Sequence, residues 1–208
     1  MGTTALLAPL PYVVLGLGAF CCFTALGETK SPFRVLNIAT LSNILVAVAI
    51  WFEHRTAILS VILYLAGLGI SWLLATDALR NISKHCPIES LSHFLGLFSK
   101  MPYGGSLFLL GLLGLIGFPL ASTFWSEDRL IEHALSSGWL FLVVFNGIFV
   151  FNGITLIRMY STLFWGKHEH ESPNTPFDFS SRQVFARVLL FLLLNGFLTL
   201  YISGALDI

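Results

Sequence analysis

The sequence predicts an all-α integral membrane protein of about six transmembrane helices, the fourth of them discontinuous. Three observations predict it. Of the 208 residues, 56% are hydrophobic and 11% charged, with a mean hydropathy of +0.83. A soluble domain carries roughly 25% charged residues, so lipid must solvate most of this surface. Apolar runs of about the length that crosses a bilayer recur along the chain. One of them is interrupted by Gly117-Phe118-Pro119, and proline both removes a helical hydrogen bond and clashes with the preceding turn.

A spanning helix needs roughly 20 apolar residues. The runs that meet or approach this are Leu6–Leu26, Val35–Phe52, Ala57–Leu79, Gly104–Leu135, Trp139–Trp165 and Val184–Leu206. In lipid the backbone must bond to itself, so all are read as helices. Met1–Leu10 lacks the basic flank of a signal peptide. In the first run, Cys21 and Cys22 are adjacent and point to different sides of a helix. With Cys86 they make neither a metal site nor a disulfide framework, and the first pair is expected to pack as small apolar side chains.

The connections differ in length. Residues 80–103 form a longer segment containing Pro87 and Pro102, in which Leu91–Phe98 suits an interfacial position. Residues 166–182 contain Pro173 and Pro176 and read as a loop. There is no internal repeat, so residues 1–208 are read as one membrane domain.

If the spans alternate, one side receives Lys30, Arg34, Arg80, Lys84, Lys100, Arg158, Lys167, Arg182 and Arg187, and the other Arg55 and Arg129. The positive-inside rule places the first side in the cytoplasm and both termini outside. The formal net charge is zero, which gives no reason to expect a nucleic-acid partner.

The fourth span carries the candidate chemistry. After the apolar run to Ile116 and the Gly117–Pro119 interruption come Ser122, Thr123, Trp125 and Ser126, then Glu127-Asp128-Arg129. A serine followed by two acids is a helix-start signature, so two half-helices are expected with a break near 117–125. Such breaks are tolerated only where protein or a cavity surrounds them, and in transporters they form ion sites. Glu127 shares a face with Leu130, Ile131 and Ala134, while Asp128, Arg129, Glu132 and His133 can pair among themselves. A carboxylate on an apolar face can take and release protons as a relay. The bland alternative is an acid at a helix N-terminus, interacting with the dipole at the membrane surface.

Other groups have weaker claims. His168-Glu169-His170-Glu171 has metal-ligand types but lies in a polar loop, so no metal is expected there. Arg158 suits snorkelling at a span end. Asp77 and Arg80 are spaced for an interfacial ion pair. Asn146, Asn152 and Asn195 suit bonds between helices, and the scattered glycines suit close helix contact. No phosphate-binding loop, dinucleotide fingerprint or nucleophile constellation is present, so the chain is expected to have no redox or hydrolytic site and no cofactor of its own.

One stretch resembles a known family. Gly96-Leu97, Lys100-Met101-Pro102, Gly111, Gly117-Phe118-Pro119 and Phe124-Trp125-Ser126-Glu127-Asp128 are similar to the discontinuous helix of the antiporter-like proton-conducting subunits of respiratory complex I, Mrp sodium/proton antiporters and related complexes. Phe151–Gly166, with Arg158, Tyr160 and Phe164, resembles the family's next helix. His170–Pro173 resembles the loop after it, and Arg34–Thr40 an upstream motif. The resemblance implies the C-terminal half of such a subunit, with Glu127 as the proton-accepting residue of the broken helix; Arg158, His133 and Asp77 are secondary polar candidates on their own positions, and the resemblance adds no catalytic role for Arg158. It also implies other membrane subunits as partners, including an N-terminal antiporter half, because family members are roughly twice as long. The location implied is an energy-transducing membrane, either a bacterial inner membrane or an organellar one. The complex implied is of the NADH-quinone oxidoreductase type or of the DAB inorganic-carbon-transporter type. The third run departs from the pattern: the family's histidine and central lysine are missing, and Tyr64 is the one ionisable group of Ala57–Gly69. A non-conducting scaffold subunit is therefore the alternative.

Overall fold

In the computed structural model, residues 9–86, 88, 90–166 and 179–206 are described, with side chains as far as Tyr201. The described chain is helical: α1 (Leu10–Gly27), α2 (Pro32–Glu53), α3 (Ile58–His85), α4 (Pro102–Ile116), α5 (Ser122–Ser136), α6 (Trp139–Phe164) and α7 (Ser181–Leu206). Short 3₁₀ turns at Arg55–Ala57 and Leu97–Ser99 precede α3 and α4. Five of these helices are long and apolar enough to cross a membrane, while α4, at 15 residues, is a shorter apolar helix. At 1.5 Å per residue α4 measures about 22 Å, short of a hydrocarbon core of about 30 Å. α4 and α5 in succession make the discontinuous span.

Proline opens α2 and α4 at a first-turn position, where its missing N–H costs nothing. α3 runs six residues past the expected Leu79 and ends on Lys84 and His85, cations that suit the negative end of the helix dipole. The Leu91–Phe98 segment forms no continuous helix. It runs across the ends of the bundle, with the Leu91 amide donating to Thr29 O (2.7 Å), Leu95 to Thr162 O (2.9 Å) and Gly96 to Trp165 O (3.0 Å). The His168–Glu171 cluster lies outside the described residues.

α3 is the central element, packing on α2, α4, α5 and α7, while α1 and α2 form an antiparallel pair that leans on α6. The contact of α3 with the broken span is unusually close. Gly111 and Gly114 of α4 leave no room for a β-carbon against Ala75 and Ser71, and Gly67 of α3 leaves none against Ser122. Small residues of this kind let membrane helices approach where hydrophobic burial supplies no drive between them. Cys22 is buried as an apolar side chain. α7 leaves Phe185, Leu189, Leu193, Phe197 and Leu200 exposed, an apolar face suited to lipid.

Candidate functional site

The break begins where α4 ends. Gly117 adopts a left-handed conformation (φ 81°), and the amides of Gly117 and Phe118 both donate to Leu113 O. This is the glycine stop that closes many helices, followed as often by proline, here Pro119. The chain turns through Phe118–Ala121, with the Ala121 amide on Phe118 O at 2.8 Å, and α5 starts at Ser122. The expected start at Ser126 is therefore four residues late. Ser126 lies inside α5 and its hydroxyl donates to Ser122 O at 3.0 Å. The local serine-acid pattern misleads because the true cap comes from another helix. Asn195 of α7 accepts from both the Ser122 amide and the Ser122 hydroxyl through Oδ1, each at 2.9 Å.

The other side of the break is satisfied within the protein too. The Thr123 hydroxyl donates to Gly114 O (2.6 Å), and Asn43 Nδ2 to Leu115 O (3.4 Å). Both ends of the break are thus bonded to neighbouring elements, as irregular backbone at membrane depth requires, while Phe118, Pro119 and Leu120 at its turn are exposed.

Glu127 sits on the second turn of α5, not the first, which contains no acid. Dipole stabilisation falls off within the first turn, and Glu127 lies beyond it. Leu130 and Ala134 are fully buried and Ile131 partly buried on the same face, while Asp128 is exposed. Helical side chains lean toward the N-terminus, and the Glu127 carboxylate folds back onto Gly117, occupying the space a β-carbon there would need. Among the described residues the carboxylate makes no hydrogen bond and no ion pair.

Glu127 also lines a groove of about 690 Å³ along α6 that includes Ile116, Phe149, Gly153, Ile157, Arg158 and Ser161. Arg158 and Glu127 are its two charged lining residues. The Arg158 guanidinium donates to Leu26 O (2.5 Å) and Glu28 O (3.5 Å), so it also closes carbonyls at the end of α1.

The remaining polar candidates scatter. His133 stacks on His54 (ring centroids 5.5 Å) rather than joining Arg129 and Glu132, which pair with each other at 3.2 Å. Asp77 bonds across to Arg187 of α7 at 2.8 Å, not along its own helix to Arg80. Asn152 donates to Asn43 Oδ1 (2.7 Å) and Ser42 Oγ (3.2 Å), and Ser42 in turn to Gly18 O (2.8 Å). Among the described residues, Asn146 bonds only to Leu142 O of its own helix.

Sequence reasoning gave no role to Ser42 and Asn43, or to Tyr64 beyond noting it as ionisable. Tyr64 is wholly buried on α3, its ring edge-on to Phe149 at 6.0 Å. The run Ala57–Leu79 also carries Ser60, Ser71, Thr76 and Asp77, so nothing in the local sequence sets Tyr64 apart.

A helical bundle packed around an interrupted span, with a carboxylate folded onto the interruption, defines a polytopic all-α membrane protein with a discontinuous helix. A family model described as "NADH:quinone oxidoreductase/Mrp antiporter, TM" matches residues 34–153, more than half of the chain, and the chain belongs to that family. Curated relatives include subunit 5 of chloroplastic NAD(P)H-quinone oxidoreductases. That of Adiantum capillus-veneris is 27% identical over 144 residues, 67% of this chain and 20% of its own. That of Huperzia lucidula is 34% identical over 90 residues, 40% of this chain and 12% of its own. That of Dioscorea elephantipes is 27% identical over 161 residues, 74% of this chain and 21% of its own. The chain thus spans about a fifth or less of the length of these relatives. Among solved structures, a chain of the Mrp complex from Dietzia sp. DQ12-45-1b matches with a TM-score of 0.71 over 94% of this chain and 45% of its own, at 17% identity. That likeness is one of fold.

Proposed function

We propose that this chain is an antiporter-like membrane subunit of a proton- or ion-translocating complex, corresponding to the C-terminal half of a full-length family member, with Glu127 as its proton relay. One observation carries the reading: the Glu127 carboxylate is folded onto the helix break, shares its face with buried Leu130 and Ala134, and has no bonding partner among the described residues. A carboxylate held in this way is free to gain and lose a proton without breaking a structural bond. The groove from Glu127 to Arg158 supplies access from the side that the basic-residue bias assigns to the cytoplasm. An N-terminal antiporter half on a partner chain completes the subunit. The complex is of the NADH-quinone oxidoreductase type or of the DAB inorganic-carbon type.

A second reading has its own observation. α3 carries no cationic side chain between Arg55 and Arg80, so a scaffold that holds neighbouring subunits without conducting is the rival. The experiment that separates them is proton uptake by vesicles containing the assembled complex with Glu127→Gln. Loss of uptake at normal assembly supports the relay. Uptake at the wild-type rate refutes it, and a loss confined to the amount of complex favours the scaffold.

A further inference from the structure

The turn between α4 and α5 lies near the middle of the bilayer, and its neighbours fix the depth. Gly67 and Ser71, which meet Ser122 and Gly114, sit about midway along α3. Asn43, bonded to Leu115 O, and Asn195, the cap of Ser122, sit about midway along α2 and α7. Three helices long enough to span thus agree on the depth. The turn is nevertheless at the protein surface. Phe118 is 41% exposed and Leu120 60%, and Pro119 between them is exposed. Phe118 O accepts from the Ala121 amide and Ala121 O from the Phe124 amide. The Leu120 N–H and the Pro119 and Leu120 carbonyls have no hydrogen bond among the described residues. On α5, Phe124 and Trp125 are exposed as well, with their rings edge to face at 5.6 Å. The Trp125 indole N–H also has no partner among the described residues. Helical side chains lean toward the helix N-terminus, so Trp125 leans back toward the turn. Tryptophan favours the membrane interface, where its N–H meets water. Hydrocarbon at the depth of Trp125 offers no acceptor.

Lipid tails can serve none of these groups, and irregular backbone is not left facing lipid at membrane depth. We propose that the turn Phe118–Ala121, together with Phe124 and Trp125, is a docking surface for a transmembrane helix of a partner subunit, and that this helix brings an uncharged amide side chain, asparagine or glutamine, onto the turn. Charge complementarity selects the amide. The surface offers two carbonyl oxygens and two N–H groups, and Phe118–Trp125 contains no charged residue. An amide side chain both donates two protons and accepts. A hydroxyl has a single proton to donate, and a lysine brings donors alone with a charge that nothing on this surface neutralises. Amides are among the side chains that bond membrane helices to one another. Phe118, Leu120 and Phe124 supply apolar contact around the polar centre. The inference rests on the reading of this chain as one subunit of a larger complex, and names the face and the chemistry through which it assembles. It does not depend on Glu127 as a relay.

The test is photocrosslinking in membranes of cells that make the whole complex, with a benzophenone side chain in place of Leu120. Position 120 should join a hydrophobic segment of a different subunit, within one turn of an asparagine or glutamine. Changing that amide to leucine should lower the amount of partner retained through detergent purification about tenfold, and Trp125→Phe about fivefold. Trp125→Phe keeps an aromatic ring on α5, so the chain itself should reach its wild-type level in the membrane. Adducts to lipid alone, to residues 118–125 of a second copy, or to a partner segment without an amide overturn the proposal. So does full retention of the partner after its amide is changed to leucine. Companions that stay with the chain while position 120 joins only lipid remove this surface and leave the subunit reading standing. A chain that purifies with no companion removes the subunit reading, and this surface with it.

Discussion

The carboxylate of Glu127 occupies the space in which a β-carbon of residue 117 would stand, and Gly117 is the left-handed residue that ends α4. The same glycine thus stops the helix and seats the acid. Gly117→Ala should therefore act twice. The left-handed conformation alone costs a β-carbon about 1–2 kcal/mol, and the added methyl must displace Glu127. The expected outcome is a lower melting temperature of the purified complex together with a fall in uptake larger than the loss of assembled protein explains. Pro119→Ala, which leaves Gly117 and Glu127 in place, should leave the rate per mole nearly unchanged. A Gly117→Ala complex with normal uptake per mole would show that the seat does not matter.

The cap of α5 comes from Asn195, 73 residues away in sequence. Loss of a helix cap costs about 1 kcal/mol in ordinary settings, and here the freed amide belongs to fully buried Ser122. Asn195→Leu should destabilise the complex by about 1–3 kcal/mol. Ser122→Ala should cost less, since the Ser122 amide keeps its acceptor. The double variant should be less destabilised than the sum, because the two share one interaction. Thermal denaturation in mild detergent measures all three, and strict additivity would mean that Asn195 stabilises by packing alone.

How much of this is legible in the sequence follows from which facts are local. The spans are legible because apolar run length is a local property, and α2 and α6 fall within a few residues of the runs Val35–Phe52 and Trp139–Trp165. The interruption at Gly117–Pro119 is legible because glycine and proline act on their own turn. The start of α5 is not, because its cap arrives from α7 and no pattern near Ser122 encodes that. Ion pairing fails for the same reason. Asp77 has Arg80 three residues away, yet α7 brings Arg187 to it. At the site, the apolar face around Glu127 is written in the spacing of Leu130, Ile131 and Ala134. What Tyr64 faces is not, since a lone tyrosine in an apolar run reads as core.

The Asp77–Arg187 pair should matter little despite its 2.8 Å length. Both side chains are substantially exposed, at 54% and 32%, and such pairs contribute about 0–1 kcal/mol. Asp77→Asn should leave proton uptake unchanged and shift the melting temperature within about a degree or two, less at high salt. A large loss of uptake in Asp77→Asn would give this residue a role in transport that the geometry does not.

Orientation is checked with single cysteines in a background lacking Cys21, Cys22 and Cys86. Lys84 and Thr56 are both exposed, at opposite ends of α3. The basic-residue bias puts Lys84 in the cytoplasm. An impermeant thiol reagent applied to intact cells should label Thr56→Cys and spare Lys84→Cys until the membrane is opened. The reverse pattern would invert the bundle and route the Glu127–Arg158 groove to the outside.

The final prediction separates the position of the Glu127 carboxylate from its charge. Glu127→Asp keeps the acid but shortens the side chain by one methylene, which withdraws the carboxylate from Gly117. If the acid only needs to be somewhere on the buried face, Asp should support full uptake. If it must reach the break, uptake per mole should fall to an intermediate value between the wild type and Glu127→Gln. Asp128→Asn is the control, because Asp128 neighbours Glu127 in sequence but is exposed on another face; it should transport at the wild-type rate. The three variants change no buried apolar group, so assembly should match the wild type and the comparison rests on rates alone. An order of wild type and Asp128→Asn, then Glu127→Asp, then Glu127→Gln ties transport to a carboxylate at the break. Equal loss in Asp128→Asn and Glu127→Gln would instead point to the net negative charge of α5, with its surface rather than its buried face as the acting element.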